Sequence, residues 1–255
     1  MLSTLLYTLA FNLTFFIQEL FLVVPKALTP GLQPTLFHNN HGWEGEHPLA
    51  GLFQGTGALA TVLSGAVCAL WLARGGVRST TGRLLLFWMA YSGIFMALPQ
   101  VVIGALSAGS DVGMAMEYLR LDATARTIAA LVALAAIPVI ARWLGKQLLG
   151  IAENPVQIAS PRARRRFVFQ AATLPAILAI ALIIPFRIPR EMIEVVLLPV
   201  LVTVVGIGWI QAGIWRTTTA TATGSRVGSV IYPLVAVLVL LAVFQLLLRP
   251  GIRFY

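Results

Sequence analysis

Charge is scarce in this chain. Only 11% of its 255 residues are Asp, Glu, Lys or Arg, and nine of these are acidic. A soluble domain of average composition carries about 25% charged residues. The hydrophobic share of 58% and the mean hydropathy of +0.88 exceed what one water-facing fold can hide in a core, so lipid must solvate much of the surface. Cysteine is nearly absent. Cys68 stands alone in an apolar run, which excludes an internal disulfide and any zinc site built from several thiolates. No glycine-rich phosphate loop, haem-attachment motif or recognisable Ser-His-Asp arrangement is present, and no repeat relates the two halves. An inverted-repeat transporter is therefore not expected. The first apolar run starts at Leu2 without a basic n-region or a clean small-residue cleavage site, and reads as a retained span, not a signal peptide.

What the chain does have is long apolar runs. Crossing a bilayer takes about 20 predominantly apolar residues in a helix, and the hydropathy predicts about seven such spans, near 4–26, 49–73, 84–106, 126–146, 167–187, 192–215 and 229–248. The expected fold is an all-α polytopic transmembrane helix bundle, one integral membrane domain over residues 1–255. It carries a histidine-rich loop at 27–48 and a short interfacial helix near 110–121, capped by Ser110 or Asp111. Pro175 and Pro185 bracket the fifth span and weaken it as a straight helix.

Eleven of the 18 Lys and Arg fall in the loops after spans 2, 4 and 6. The positive-inside bias then puts the N-terminus and basic loops in the cytoplasm and the histidine loop outside. An odd span count would leave the C-terminus outside as well. Trp71, Trp88, Trp143 and Trp215 sit near span ends on the basic side, as an interfacial aromatic belt would. Of the acids, only Glu153 belongs to that side. The net charge of +9 accordingly reads as topology and attraction to anionic lipid, not nucleic-acid binding.

Two groups of residues are candidates for chemistry. In span 1, Asn12, Glu19 and Lys26 recur every seven residues and share a helix face. An intramembrane carboxylate should face protein, because lipid cannot solvate it. Gln54 opens span 2 among Gly51, Gly55 and Gly57, which permit close helix approach, and Gln100 follows Pro99 near the end of span 3. Glu19, Gln54, Gln100 and Asp111 are the candidate ligand-binding residues. The second group is "HNNHGWEGEH", which contains His38, His41 and His47, all the histidine the chain possesses. If the backbone turns helically, His38 and His41 at i, i+3 share one side, and Glu44 or His47 completes a tetrahedral set for a divalent metal such as zinc or copper. Alternatively, Asn39 and Asn40 favour turns and the histidines organise an interfacial loop.

"IQELFLVVPKAL" at 17–28 resembles the helix of site-2-type intramembrane zinc proteases, whose H-E-x-x-H places two ligands and a general base on one face. Here the ligand positions are Gln18 and Leu22, and only the glutamate is kept, as Glu19. "GSDVG" around Asp111 resembles the family's later aspartate ligand. With both ligands replaced, the resemblance implies a pseudo-protease or a site rebuilt around other groups. The expectation is a non-proteolytic membrane protein with an outward-facing polar site for a cation or small ligand. A metal-dependent hydrolase on His38 and His41 and a structural subunit of a larger membrane complex are the alternatives. Its expected partners are the bilayer, anionic lipid at the inner face and other membrane proteins.

Overall fold

The computed structural model describes residues 1–189, 192–214, 217 and 228–255. Among them are seven helical stretches long and apolar enough to span a bilayer: Leu2–Ala27, Ala50–Ala73, Thr80–Leu106, Ala123–Leu149, Pro161–Arg187, Val196–Ile214 and Ile231–Leu248. The chain is a multi-pass integral membrane protein with an all-α bundle. Arg190, Glu191, Trp215, Arg216, Arg226 and most of the linker "TTTATATGSRVGS" lie outside the described residues.

Three spans begin where the sequence supplies a side-chain acceptor for orphan amides. Ser79 caps α4 (Thr80–Leu106) by accepting from Gly82 N at 3.2 Å. Asp122 caps α6 (Ala123–Leu149) by accepting from Ala125 N at 2.8 Å. The interfacial helix α5 (Asp111–Tyr118) is capped by Ser110, not Asp111, which leaves the Asp111 carboxylate for other work. The second span is two helices, α2 (Ala50–Phe53) and α3 (Thr56–Ala73), and the fifth is α7 (Pro161–Val168) and α8 (Leu174–Arg187) joined by a π-helical turn at Phe169–Thr173. That wider turn falls just before Pro175, where a ring in place of an amide breaks the regular ladder. The helix then runs on through Pro185.

Helix α1 (Leu2–Ala27) is the hub and touches α3, α4, α8 and α10 (Ile231–Ala242). Its most apolar stretch is 67% buried in protein, against 22% for the last span. The polar residues of α1 therefore face protein. At its N-terminal end an aromatic knot joins α1 and α4: Tyr7 lies 4.3 Å from Trp88 and 5.6 Å from Tyr91, centroid to centroid. The Tyr91 hydroxyl donates to Val202 O at 2.7 Å, which ties in α9 (Met192–Ile214). Trp88 is fully buried and donates its indole N–H to Ser3 Oγ at 2.9 Å. It does not belong to an interfacial belt, because α4 begins at Thr80 and Trp88 already lies two turns inside. Trp71 is exposed and Trp143 half-buried.

The histidine loop is not helical. It forms a hairpin of β1 (Gln33–Leu36) and β2 (His41–Glu44), antiparallel with Leu36 opposite His41. Near the C-terminus, β3 (Ile252–Arg253) pairs with the other edge of β1, giving the order β2-β1-β3. Seven spans leave the C-terminus on the histidine-loop side, and this strand pairing fastens it there.

Candidate functional site

At the hairpin end of α1, the adjacent Gln18 and Glu19 precede Leu22 by four and three residues, and Lys26 follows it by four, so the four residues line one side of the helix. Gly57 of α3 packs on that face so closely that a Cβ there would meet Leu22 Cγ at 2.7 Å and Gln18 O at 3.0 Å. The glycine brings α3 close to α1 and with it Gln54, the residue that ends α2. The hairpin closes the top. His41 and Trp43, two apart on β2, share the face turned to α1, and their rings stack at 6.0 Å.

The polar groups meet there in a chain of contacts. His41 Nδ1 lies 2.8 Å from Glu19 Oε2, and His41 Nε2 lies 3.0 Å from Gln54 Oε1. Lys26 is fully buried. Its ammonium donates to Leu22 O at 2.8 Å and to Gln54 Oε1 at 3.3 Å, and sits 4.6 Å above the Trp43 ring. Beside Glu19, Gln18 Oε1 accepts from Gln100 Nε2 at 2.9 Å, and Gln100 donates again to Met96 O. Asp111 stands within the electrostatic reach of Glu19, Lys26 and His41.

These contacts settle the proton count. An ammonium has no acceptor, so the Gln54 atom beside Lys26 is the oxygen. The same oxygen faces His41 Nε2, which must therefore carry a proton. One more proton lies in the 2.8 Å contact between His41 Nδ1 and Glu19, on either atom. The Glu19–His41 pair thus has no net charge, and the Lys26 ammonium attracts Asp111 without an ion-pair contact. Burial pushes the Asp111 carboxyl above its ordinary range, and Glu19 pushes the same way, while His41 and Lys26 oppose them. Asp111, Gln100 and Ser110 border a cleft of about 280 Å³ whose other walls include Ile103 and Val112.

Glu19, Gln54, Gln100 and Asp111 are thus gathered at one end of the bundle. The set His38, His41, Glu44 and His47 is not. A shared metal needs a helical turn at 38–41, and the chain makes a four-residue hairpin loop instead, with Phe37 N donating to Asn40 O at 2.9 Å. His38 Nε2 lies 3.1 Å from Ile188 O and Asn39 Nδ2 donates to Arg187 O at 2.7 Å, so this loop serves the last carbonyls of α8. His47 Nδ1 accepts from Leu49 N at 3.2 Å, and Glu44 is exposed. Among the described residues, no three His, Cys, Asp or Glu side chains are grouped to hold a metal. Asn12 also leaves the site: its amide donates to Thr8 O in its own helix at 2.8 Å. Trp43 joins the site without a sequence signal beyond its neighbours, and Gln18 joins it from a ligand position of the protease resemblance. Comparison with protein-family models, curated proteins and solved structures gave no match.

Proposed function

We propose that the chain is a non-proteolytic membrane protein that binds a small monovalent cation, such as sodium or a protonated amine, in exchange for a proton at the hairpin end of its bundle. The carrying observation is the Glu19–His41–Gln54 contact chain beside the Asp111 cleft. As it stands the cluster is neutral. Loss of the proton shared by Glu19 and His41 leaves one negative charge in a site of low polarity, and a cation in the cleft restores neutrality. Asp111, Gln100 and Ser110 offer it a carboxylate, an amide and a hydroxyl. A divalent metal is less suited, since its usual ligand number is not gathered here. The two positions behind the site-2-protease resemblance, Glu19 and Asp111, serve this site, while Gln18 replaces a ligand with an amide bonded to Gln100. Hydrolysis on His38 and His41 has no support in their separate roles.

The test is thermal unfolding of the detergent-solubilised full chain with sodium or methylammonium, at ionic strength held constant with N-methylglucamine. A ligand at 100 times its Kd stabilises by about 2.7 kcal/mol. The upward shift is expected at pH 8 and should shrink on acidification. Asp111, raised above the ordinary carboxylate range, takes up its proton at a less acidic pH than a free side chain, and the bound cation is lost with the charge. Asp111→Asn should abolish the shift at pH 8 and below it. A shift produced by zinc alone, with one metal per purified chain, would sink this reading.

The same reading places the hairpin outside and the basic loops in the cytoplasm, supported by the distribution of Lys and Arg. In a Cys68→Ala background, an impermeant thiol reagent applied from outside should label Glu46→Cys fully and Glu153→Cys not at all. Both positions are exposed. Gly45 is unsuitable for this purpose, because its φ of +89° and its backbone contact with Gly31 leave no room for a Cβ. Labelling of both residues from one side would overturn the arrangement.

A further inference from the structure

At the opposite end of the bundle, a cleft of about 430 Å³ opens where the fifth span emerges, bordered by Gln157, Ser160, Arg162, Arg166, Phe167 and Gln170, among others. We propose that this cleft is a binding site for the phosphate headgroup of one anionic phospholipid. Its volume is that of a ligand pocket, and its polar groups are donors by construction. Gln157 Oε1 is occupied by the backbone N–H groups of Glu153 and Asn154, which leaves its NH₂ for a ligand. Ser160 Oγ accepts from Ala163 N at 3.1 Å as the cap of α7, which leaves its hydroxyl hydrogen. Arg162 and Arg166 are one helical turn apart and share a side. Both are exposed, and among the described residues neither has a carboxylate partner.

Among the described residues, no acid borders the cleft. Two guanidinium forks, an amide and a hydroxyl match the oxygens of a phosphate, whereas the choline of a zwitterionic lipid would meet only positive charge. Arg162 also lies in the first turn of its helix, where the backbone dipole favours an anion. What distinguishes a lipid from a free anion is the continuation of the same span. Leu174, Leu178 and Leu182 are 41%, 52% and 40% exposed, an apolar surface for acyl chains running inward from the headgroup. The neighbouring Arg164 is committed elsewhere, donating to Ile158 O at 3.2 Å. The basic run is therefore not uniform: two of its members form a cradle and one braces the loop.

The experiment is native mass spectrometry of the full chain in detergent, titrated with phosphatidylglycerol or with phosphatidylcholine of the same acyl chains. One phosphatidylglycerol per chain should bind at least ten-fold more tightly than phosphatidylcholine. Arg162→Gln with Arg166→Gln should weaken it at least ten-fold, and Arg166→Gln alone, which spares the first helical turn, by an intermediate factor. The charge-matched control Arg78→Gln with Arg165→Gln, two exposed arginines outside the cleft, should weaken it less than two-fold. An equal loss in the control overturns the proposal in favour of diffuse attraction. Displacement of the lipid by millimolar inorganic phosphate overturns it in favour of a free-anion site. Because this cleft shares no residue with the Asp111 cleft, either result leaves the cation reading untouched.

Discussion

Lys26→Met is expected to destabilise the protein by about 3–5 kcal/mol, the usual cost of removing one partner from a buried set of charges. Methionine nearly matches the volume of the lysine stem, so packing against Trp43 survives and the loss is electrostatic. Three things go at once: the donor to Leu22 O, one of the two donors to Gln54 Oε1, and a positive charge that attracts Asp111. Gln54 is then free to rotate its amide and offer NH₂ to His41, which breaks the logic that fixes the proton on Nε2. Unfolding of the variant in mixed micelles reads the loss directly. Adding Asp111→Asn removes the stranded carboxylate and should return part of the stability, even though it deletes a second polar group. A loss below about 1 kcal/mol for Lys26→Met would mean that the ammonium is solvated and not caged.

The spans were legible because a helix that must cross hydrocarbon leaves an unmistakable record of about 20 apolar residues, in three cases preceded by a polar capping residue. Ser79, Asp122 and Ser160 mark those ends in the sequence and cap the helices in the structure. The hairpin was not legible. Strands of four residues, followed by a two-residue partner more than 200 positions away, give no periodicity to read, and the pairing of β3 with β1 depends on all seven spans bringing their ends together. Missing that sheet is what made a helical His38–His41 pair conceivable. Trp88 failed for a different reason. The start of α4 lies four residues before the apolar run, so a residue that looked interfacial is two turns deep and packed on Tyr7.

For the site, span 1 showed its own part. Glu19 and Lys26 are seven apart, and their common face follows from helix geometry alone. What the sequence could not supply is which partner meets which: that His41 bridges Glu19 and Gln54, that Trp43 covers the ammonium, and that Gln18 rather than Glu19 reaches Gln100. Those are choices among side chains within a few ångströms, set by the hairpin register and by the close approach at Gly57. A slip of one residue in β2 would turn His41 and Trp43 to the opposite face.

The same pair gives the sharpest separation of packing from function. Glu19→Leu alone should cost about 1–3 kcal/mol, because it leaves a neutral His41 buried with nothing opposite Nδ1. His41→Leu alone should cost more, about 3–5 kcal/mol, by stranding a carboxylate that is only 5% exposed. The double variant should be more stable than His41→Leu by at least about 2 kcal/mol, since neighbours in one network are strongly non-additive and apolar replacement of a whole buried pair is often near neutral. Lys26 keeps both its acceptors and its attraction for Asp111, so the rest of the site stands. What the double variant should lose is the exchange: with no shared proton to release, adding sodium or methylammonium at pH 8 should no longer eject a proton into a weakly buffered solution, whereas the parent should release close to one per cation bound. A double variant that is stable and still releases protons places the exchanging group elsewhere, and Asp111 becomes the first residue to examine. A double variant as unstable as the sum of its parts would mean that Glu19 and His41 are not a pair at all.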